Sequence, residues 1–207
     1  MPRTETANQK VRVEAREKIL DAARKVFARR GAAATMAEVA EEAGISQGLA
    51  YRYFPSKEAI LTTLVKQMAE SGGGAAARVK KIPGSPGNRL LTLVSYVLES
   101  RREQPEFYQF LYQVLNDEKM PDKLREVVGR SGKVIQGMIR ELIVEGQVTG
   151  EVANDDPDQL VGAILACLDG LSRRMVVLEP EAARESLPDA RVIMRMLRPD
   201  SPRSNPQ

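Results

Sequence analysis

The feature that most constrains the fold is a dense succession of helix start and stop signals, early in a chain with almost no strand pattern. Thr35 and Glu38 have the spacing of a capping box, which begins a helix. Gly44 can end that helix, Ser46 can begin another, and Pro55 breaks it. The pattern predicts two short helices joined by a tight turn.

Helical signals continue along the rest of the chain. Apolar residues recur at helical spacing between glycines and prolines, and we find no sustained alternation typical of strands. We therefore predict an all-α protein. The first helix ends before Gly31, and a long one begins at Lys57 and reaches Gly72–Gly74, where three glycines either end it or form a weak joint. Further helices are predicted over 89–102, from Pro105, from Pro121 to about Glu145, from Pro157 to Pro180, and from Pro188.

The composition excludes several kinds of chemistry. The 207 residues include no His, no Trp and one Cys. Without His the chain has no Ser-His-Asp or Cys-His nucleophile pair, and it has no zinc site of His or paired Cys. Asp155, Asp156 and Asp158 could suggest a cation site, but helix capping explains their position better. We predict no metal, no cofactor and no enzymatic activity.

The sequence shows no targeting signal. No apolar run reaches the ~18 residues that a membrane span needs, and the charged N-terminus lacks the apolar segment typical of a secretory signal. With 43% apolar and 29% charged residues, the composition is typical of globular proteins. We therefore expect a cytoplasmic protein that does not contact a membrane.

Positive charge is concentrated near the N-terminus. Residues 1–57 carry a net charge of +4, whereas residues 58–207 carry −1. A basic head on a nearly neutral body favours a polyanionic partner. Ordinary surface charge would give the same numbers, so both interpretations stay open on charge alone.

Two short helices joined by a tight turn are typical of the helix-turn-helix, whose second helix enters the major groove of DNA. Gln47 begins this second helix, and its amide can pair with an adenine edge. Gly48 allows the backbone to approach closely, and Leu49 can contact a thymine methyl group. Tyr51 and Tyr53 have hydroxyl groups that can bind phosphates.

Cations and helix caps extend this candidate DNA interface. Arg52 adds positive charge beside the tyrosines. Lys57 and Thr35 each lie at a helix N-terminus, where the side chain and backbone N–H groups can together hold a phosphate. The alternatives are that Thr35 and Ser46 act only as caps and that Tyr51 is half-buried packing.

The stretch ILDAARKVFARRGAAATMAEVAEEAGISQGLAYRYFPSKEAIL resembles the N-terminal DNA-binding domain of TetR/AcrR-type transcriptional regulators. The matching elements are ILDAA…VF…RG, T-x-x-x-V-A-x-x-A-G, I-S-x-G-x-x-Y-x-Y-F and P-S-K-E. The chain departs from the family pattern in the short loop 32–34, which lacks an aromatic residue, and at Leu49-Ala50, where a small polar residue and Leu are commoner. The resemblance implies DNA contacts at Thr35, Gln47, Gly48, Leu49, Tyr51, Tyr53 and Lys57.

The resemblance also implies that the body is a helical domain that binds a ligand and dimerises through its last two long helices. The segment 158–175 is apolar on more than one face, which requires cover from more than one side. A partner subunit would provide that cover, and so would burial as a central helix. The candidate interface residues are Leu165, Leu168, Met175, Val192 and Met196.

A ligand pocket is indicated by the aromatic residues that cluster between positions 107 and 112, beside polar Gln and Asn. Pockets are mostly apolar with a few polar anchors, although an aromatic stripe is also typical of an ordinary core. The candidate pocket residues are Met68, Phe107, Tyr108, Leu111, Tyr112, Met138 and Leu142.

These observations predict four segments. They are a flexible basic arm over 1–12, a helix-turn-helix domain over 13–57, a helical effector-binding and dimerisation domain over 58–198, and a disordered tail over 199–207. The predicted function is that of a homodimeric transcriptional repressor that a small apolar effector releases from operator DNA. The alternative is a DNA-binding regulator whose body binds a protein partner and has no small-molecule inducer.

Overall fold

The computed structural model describes residues 5–116 and 122–199 of the chain. All regular secondary structure in these two ranges is helical, which confirms the predicted fold class. Ten α-helices occur in this part of the chain, together with two 3-10 turns at Gly31–Ala33 and Arg195–Leu197. The α-helices are α1 (Glu5–Arg30), α2 (Met36–Glu42), α3 (Gln47–Tyr53), α4 (Lys57–Val79), α5 (Pro86–Glu103), α6 (Pro105–Leu115), α7 (Asp122–Val148), α8 (Pro157–Val176), α9 (Pro180–Glu185) and α10 (Ala190–Met194).

Most helix starts follow the local signals in the sequence. Ser85 caps α5, and its hydroxyl accepts a hydrogen bond from the backbone N–H of Asn88. Asp156 caps α8 in the same way, with Pro157 at the first helical position. The predicted bounds are less accurate than the helices themselves: α8 ends at Val176 rather than at Pro180, and Pro180 instead begins the short α9.

Helix α4 continues through its three glycines, so Gly72–Gly74 lie inside the helix and do not end it. The cost of interior glycines, about 1 kcal/mol each relative to Ala, is offset because α4 packs along α7. At Gly72 an added Cβ would lie 3.4 Å from the Ile135 side chain. The hydroxyl of Ser131 donates a hydrogen bond to the Ala69 carbonyl, 3.2 Å away, and so joins the two helices.

The N-terminal segment differs from the prediction of a flexible arm over 1–12. Residues 5–12 belong to α1, because no Gly or Pro interrupts the chain between Glu5 and Arg30 and the helix can propagate. Residues 1–4 lie outside the described residues. The predicted tail over 199–207 also lies outside them, apart from Pro199.

Two hydrophobic cores hold the helices together. The head core joins α1, α2 and α3 to the first half of α4, and it includes Phe107 and Phe110 of α6 and Leu124 of α7. The body core joins α5, α7 and α8 to the C-terminal helices. Helices α4 and α6 thus take part in packing on the head side of the body, and the core is continuous across the domain boundary predicted at residue 57.

None of the helices in the described part of the chain is both long and apolar enough to cross a membrane.

Candidate DNA interface and ligand cavity

The turn between α2 and α3 is built by local sequence. The Thr35 hydroxyl accepts a hydrogen bond from the Glu38 backbone N–H, and the Glu38 carboxylate accepts one from the Thr35 backbone N–H, so the capping box is complete. Gly44 has a φ of 61°, the left-handed conformation that favours glycine. The backbone N–H of Ile45 donates to the Ala40 carbonyl, 3.0 Å away, which fixes the angle between the helices.

Carboxylates on α2 are neutralised by cations on α1. Glu42 pairs with Arg29 at 2.6 Å and with Lys25 at 3.6 Å, and Glu38 pairs with Arg30 at 3.0 Å. Hydrogen bonds from Thr35 are the largest cause that lowers the pKa of Glu38, and the hydrogen bond from Arg29 lowers the pKa of Glu42. Two of the three carboxylates of α2 are therefore paired within the head.

Helix α3 presents four of the eight candidate DNA-contacting residues to solvent. Gln47, Gly48 and Arg52 are exposed, and the Tyr51 side chain is 46% exposed. A Cβ added at Gly48 would meet no atom within 4 Å, so this part of the helix faces open space. The opposite face is anchored by Ala50, which is fully buried.

The remaining candidates are half-buried or lie at neighbouring helix starts. Leu49 is half-buried, and its backbone N–H donates to the Ser46 hydroxyl. Tyr53 is half-buried against the head core, and its carbonyl accepts a hydrogen bond from Arg16, 3.4 Å away. Thr35 caps α2, and Lys57 is the first residue of α4. All eight candidates thus belong to α3 or to the N-termini of the adjacent helices.

A cavity of about 640 Å³ lies between α1, α4, α5, α6, α7 and α8. Five of the predicted pocket residues line it, namely Met68, Phe107, Tyr108, Leu111 and Tyr112.

The prediction is wrong for Met138 and Leu142. Both are buried in the body core. On α7 the cavity is lined by Val128, Ser131, Gly132 and Ile135, and Met138 and Leu142 lie further along this helix, where it packs against α5 and α8.

Arg101 is a cavity residue that sequence reasoning missed. Its Nε donates to the Ser172 hydroxyl at 3.0 Å, its Nη1 donates to the Val97 carbonyl at 2.9 Å, and its guanidinium carbon lies 5.5 Å from the centre of the Tyr108 ring. Burial lowers the pKa of Arg101, although Tyr108 and Asp169 act in the opposite direction. In sequence Arg101 looks like an ordinary cation in the last turn of a helix, because its partners on α6 and α8 are distant along the chain.

The end of the cavity nearest the head contains a polar network. Arg24 of α1 forms an ion pair with Asp21 and donates a hydrogen bond to the side-chain oxygen of Gln67 on α4, 2.9 Å away. The amide nitrogen of Gln67 donates in turn to Glu17 at 3.3 Å. Because Arg24 and Gln67 line the cavity, its wall includes side chains that also tie α1 to α4.

The apolar residues of α8 point inward, which corrects three of the five predicted interface residues. Leu165 and Leu168 line the cavity, and Met175 is fully buried in the body core. Leu168 and Met175 are thus buried within one chain, and Leu165 is half-buried against the body core. Val192 and Met196 differ, because they are 50% and 48% exposed.

Known proteins resemble this chain in both sequence and fold. The sequence profile described as "Bacterial regulatory proteins, tetR family" matches residues 19–64. The HTH-type transcriptional regulator BetI of Rhizobium meliloti is 24% identical over 157 residues, which is 75% of each protein. The HTH-type transcriptional repressor NicS of Pseudomonas putida is 27% identical over 142 residues, 68% of this chain and 66% of NicS.

Solved structures share the fold. The transcriptional regulator FadR of Bacillus subtilis, in complex with stearoyl-CoA, superposes with a TM-score of 0.64 at 20% identity, and the match covers 86% of this chain and 97% of FadR. The proteins of this sequence family are DNA-binding regulators and not enzymes. The profile match over the helix-turn-helix, the related regulators and the shared helical architecture together identify the chain as a member of the TetR family of transcriptional regulators.

Proposed function

We propose that this TetR-family regulator is a ligand-responsive repressor, acting as a homodimer in the cytoplasm, and that an apolar effector in the cavity releases it from operator DNA. The single observation that carries this proposal is the cavity of about 640 Å³, whose wall is shared by the body and by α1 and α4. This volume is within the range of small-molecule sites, about 300–1,000 Å³. A ligand there would touch the helices that hold the head.

The proposed DNA surface consists of α3 and the two adjacent helix starts. Gln47, Gly48 and Leu49 would reach base edges from the start of α3. Tyr51, Arg52 and Tyr53 would bind the backbone. Thr35 and Lys57 would hold phosphates at the N-termini of α2 and α4.

Ligand release would act through the spacing of two heads. In a dimer the two α3 helices would have to enter successive major grooves, about 34–36 Å apart. An effector shifts the equilibrium only if it binds one head arrangement better than the other. Helices α4 and α6 support this mechanism because each contributes to the head core and to the cavity.

The proposed dimer surface lies on the outer side of the C-terminal helices. Val192 and Met196 provide exposed apolar groups there. Helix α8 offers small exposed residues, Ala163 and Ala166, which would allow a partner helix to approach closely. The domain division at residue 57 and the disordered tail stay predictions.

The alternative regulator, with a protein partner and no inducer, predicts a filled body core. The cavity favours an effector instead. The stearoyl-CoA bound to Bacillus subtilis FadR supports the same choice, since it gives an example of a ligand with a long apolar chain in a protein of this fold.

The test is fluorescence anisotropy of the purified protein with DNA from upstream of its own gene, at two salt concentrations and against a scrambled duplex. We expect binding at least ~10³-fold tighter than to the scrambled duplex, with two protomers per site. Gln47→Ala should lose affinity selectively for the operator, whereas Lys57→Ala should weaken binding to all sequences and reduce the salt slope by about 1.

The matched control is Lys81→Ala, which removes one exposed positive charge just beyond the far end of α4, a helix about 34 Å long that begins at Lys57. It should bind DNA like the wild type. If Gln47→Ala and Lys57→Ala also bind like the wild type, the assigned surface is wrong. If a broad screen of small molecules never releases the DNA, the regulator has no small-molecule effector. That result would favour the alternative, in which the body binds a protein partner.

A further inference from the structure

The cavity wall is mostly apolar and contains a half-buried cation, Arg101, that has no carboxylate partner among the described residues. Arg101 projects from the last turn of α5 and lines the cavity beside Tyr108 and Ser100. We propose that the effector is an apolar carboxylate, an alkyl or aryl acid whose carboxylate binds Arg101. This inference rests on the proposed role of the cavity as an effector site, and it specifies the chemical class of the effector.

The guanidinium of Arg101 has N–H groups that make no hydrogen bond within the described residues. It carries five N–H groups. One is used by the Ser172 hydroxyl and one by the Val97 carbonyl, which leaves three without a partner among residues 5–116 and 122–199. A carboxylate accepts two parallel hydrogen bonds from a guanidinium, which an alcohol or an amine cannot do.

The charge of Arg101 also lacks a counter-ion. In the described residues no carboxylate lies within ion-pair distance of its guanidinium: Asp169 acts on it electrostatically, but the two form no ion pair. Arg24, the other arginine of the cavity wall, is different because it is paired with Asp21. An anion that enters the cavity would therefore find its charge complement at Arg101.

Titration behaviour agrees with this geometry. Burial is the main cause that lowers the pKa of Arg101. Arginine nevertheless stays protonated in proteins, so this half-buried charge is less well solvated than an exposed one and would gain from an anionic partner. Burial likewise raises the pKa of Tyr108, whose hydroxyl is hydrogen-bonded to Ser100.

The rest of the wall limits the remainder of the ligand. Away from Arg101 it consists largely of aliphatic and aromatic side chains, including Leu64, Phe107, Leu111, Ile135, Leu165 and Leu168. Such a surface favours a hydrocarbon chain or ring, while Arg24, Glu103 and Asp169 are the other charged residues of the wall. A ligand with one anionic end and an apolar body satisfies both parts of the cavity.

The test compares decanoate with decan-1-ol, which share a chain and differ in charge, by isothermal titration calorimetry on the full chain without DNA. We expect the wild type to bind decanoate about ten- to a hundredfold more tightly, the range for a hydrogen bond to a charged group. Decanoyl-CoA tests the other source of a decanoyl chain. It has no carboxylate at that end of the chain, so we expect it to lack the contribution of Arg101.

Four variants separate the effect of charge from that of structure. Arg101→Met should abolish the preference for decanoate over decan-1-ol, while Arg101→Lys should retain part of it. Asp169→Asn removes the nearby negative charge and should increase decanoate affinity. Ser172→Ala removes the α5–α8 hydrogen bond but leaves the cation, so it shows how much of any loss is structural, and the affinity for decan-1-ol reports whether the cavity is intact.

The inference is overturned if wild type binds the acid and the alcohol equally, if it binds neither, or if Arg101→Met keeps the preference. Binding of decanoyl-CoA that is as tight as that of decanoate and independent of Arg101 would also overturn it. None of these results contradicts the proposed function, which is tested separately by specific binding to the operator and by release of the operator by a small molecule.

Discussion

The rings of Phe27 in α1 and Phe110 in α6 lie 5.0 Å apart, tilted by 30°, and both are almost fully buried. This contact joins the helix that supports the DNA-reading head to the helix that lines the cavity through Phe107 and Leu111. Neighbouring residues of α6 face the head on one side and the cavity on the other. A shift of α6 caused by a ligand in the cavity would therefore act directly on α1.

The aromatic contact can be weakened without removing the core. Phe110→Leu should lower the free energy of unfolding by about 1–2 kcal/mol, since an aromatic pair contributes about 0.5–1.5 kcal/mol beyond its buried area. It should also raise the effector concentration needed to release DNA. Chemical denaturation measures the first effect and an effector titration of the DNA complex measures the second.

The matched control is Ile143→Val in the fully buried body core. It should cost a similar 0.5–1.5 kcal/mol or so and leave the effector titration unchanged. A shift of equal size in both variants would mean that general destabilisation, and not the contact between α1 and α6, carries the effect.

Two glycines of the helix-turn-helix should respond oppositely to alanine. Gly44→Ala should destabilise the protein by about 1–2 kcal/mol, because its φ of 61° is unfavourable for a residue with a Cβ. Gly48→Ala should stabilise it by about 0.5–1 kcal/mol, since Gly48 is helical and a Cβ there meets no atom within 4 Å. The same methyl group should weaken operator binding, as it occupies the proposed path of approach. Denaturation curves that rank the two variants the other way would contradict this.

The capping box should make part of the stability depend on acid. Thr35 and Arg30 lower the pKa of Glu38 below its ordinary value of 4.5, so the carboxylate stabilises the fold above that pH. This stabilisation is lost as the pH falls through the lower pKa of the folded state. Glu38→Gln should therefore be less stable than wild type at pH 7, and the difference should shrink at low pH.

Urea denaturation at pH 7 and at successively lower pH values measures this difference. Glu41→Gln is the matched control, because Glu41 lies on the same helix and makes no ion pair among the described residues. A constant difference between wild type and Glu38→Gln over the whole pH range would refute the role of the carboxylate.

The glycines inside α4 offer a test of helix stiffness. Gly73→Ala should stabilise the protein by roughly 0.5–1 kcal/mol, because an added Cβ meets no atom within 4 Å. Gly72→Ala should gain less, since its Cβ would lie against Ile135 at the cavity wall. Replacing all three glycines with alanine should also alter the coupling between effector and DNA release. An unchanged release curve would show that the three glycines of α4 do not affect the coupling between effector binding and DNA release.

Local chemistry made the head predictable from sequence. The capping box of Thr35, the left-handed turn at Gly44 and the N-cap at Ser46 each depend on residues within a few positions of one another. The helix-turn-helix and the exposed candidates on α3 could therefore be derived before any coordinates. The pocket and interface residues of the body were harder to predict from sequence, because their burial depends on which helix covers which face.

Only the tertiary structure decided the cavity. Periodicity identified α6 as apolar and aromatic, but it could not show that Phe107 faces an open space while Phe110 packs on Phe27. It also gave no sign of Arg101, whose partner Ser172 lies on another helix. Sequence determines a helix through neighbours along the chain, whereas a cavity arises where distant helices fail to fill the space between them, and that depends on how all of them pack.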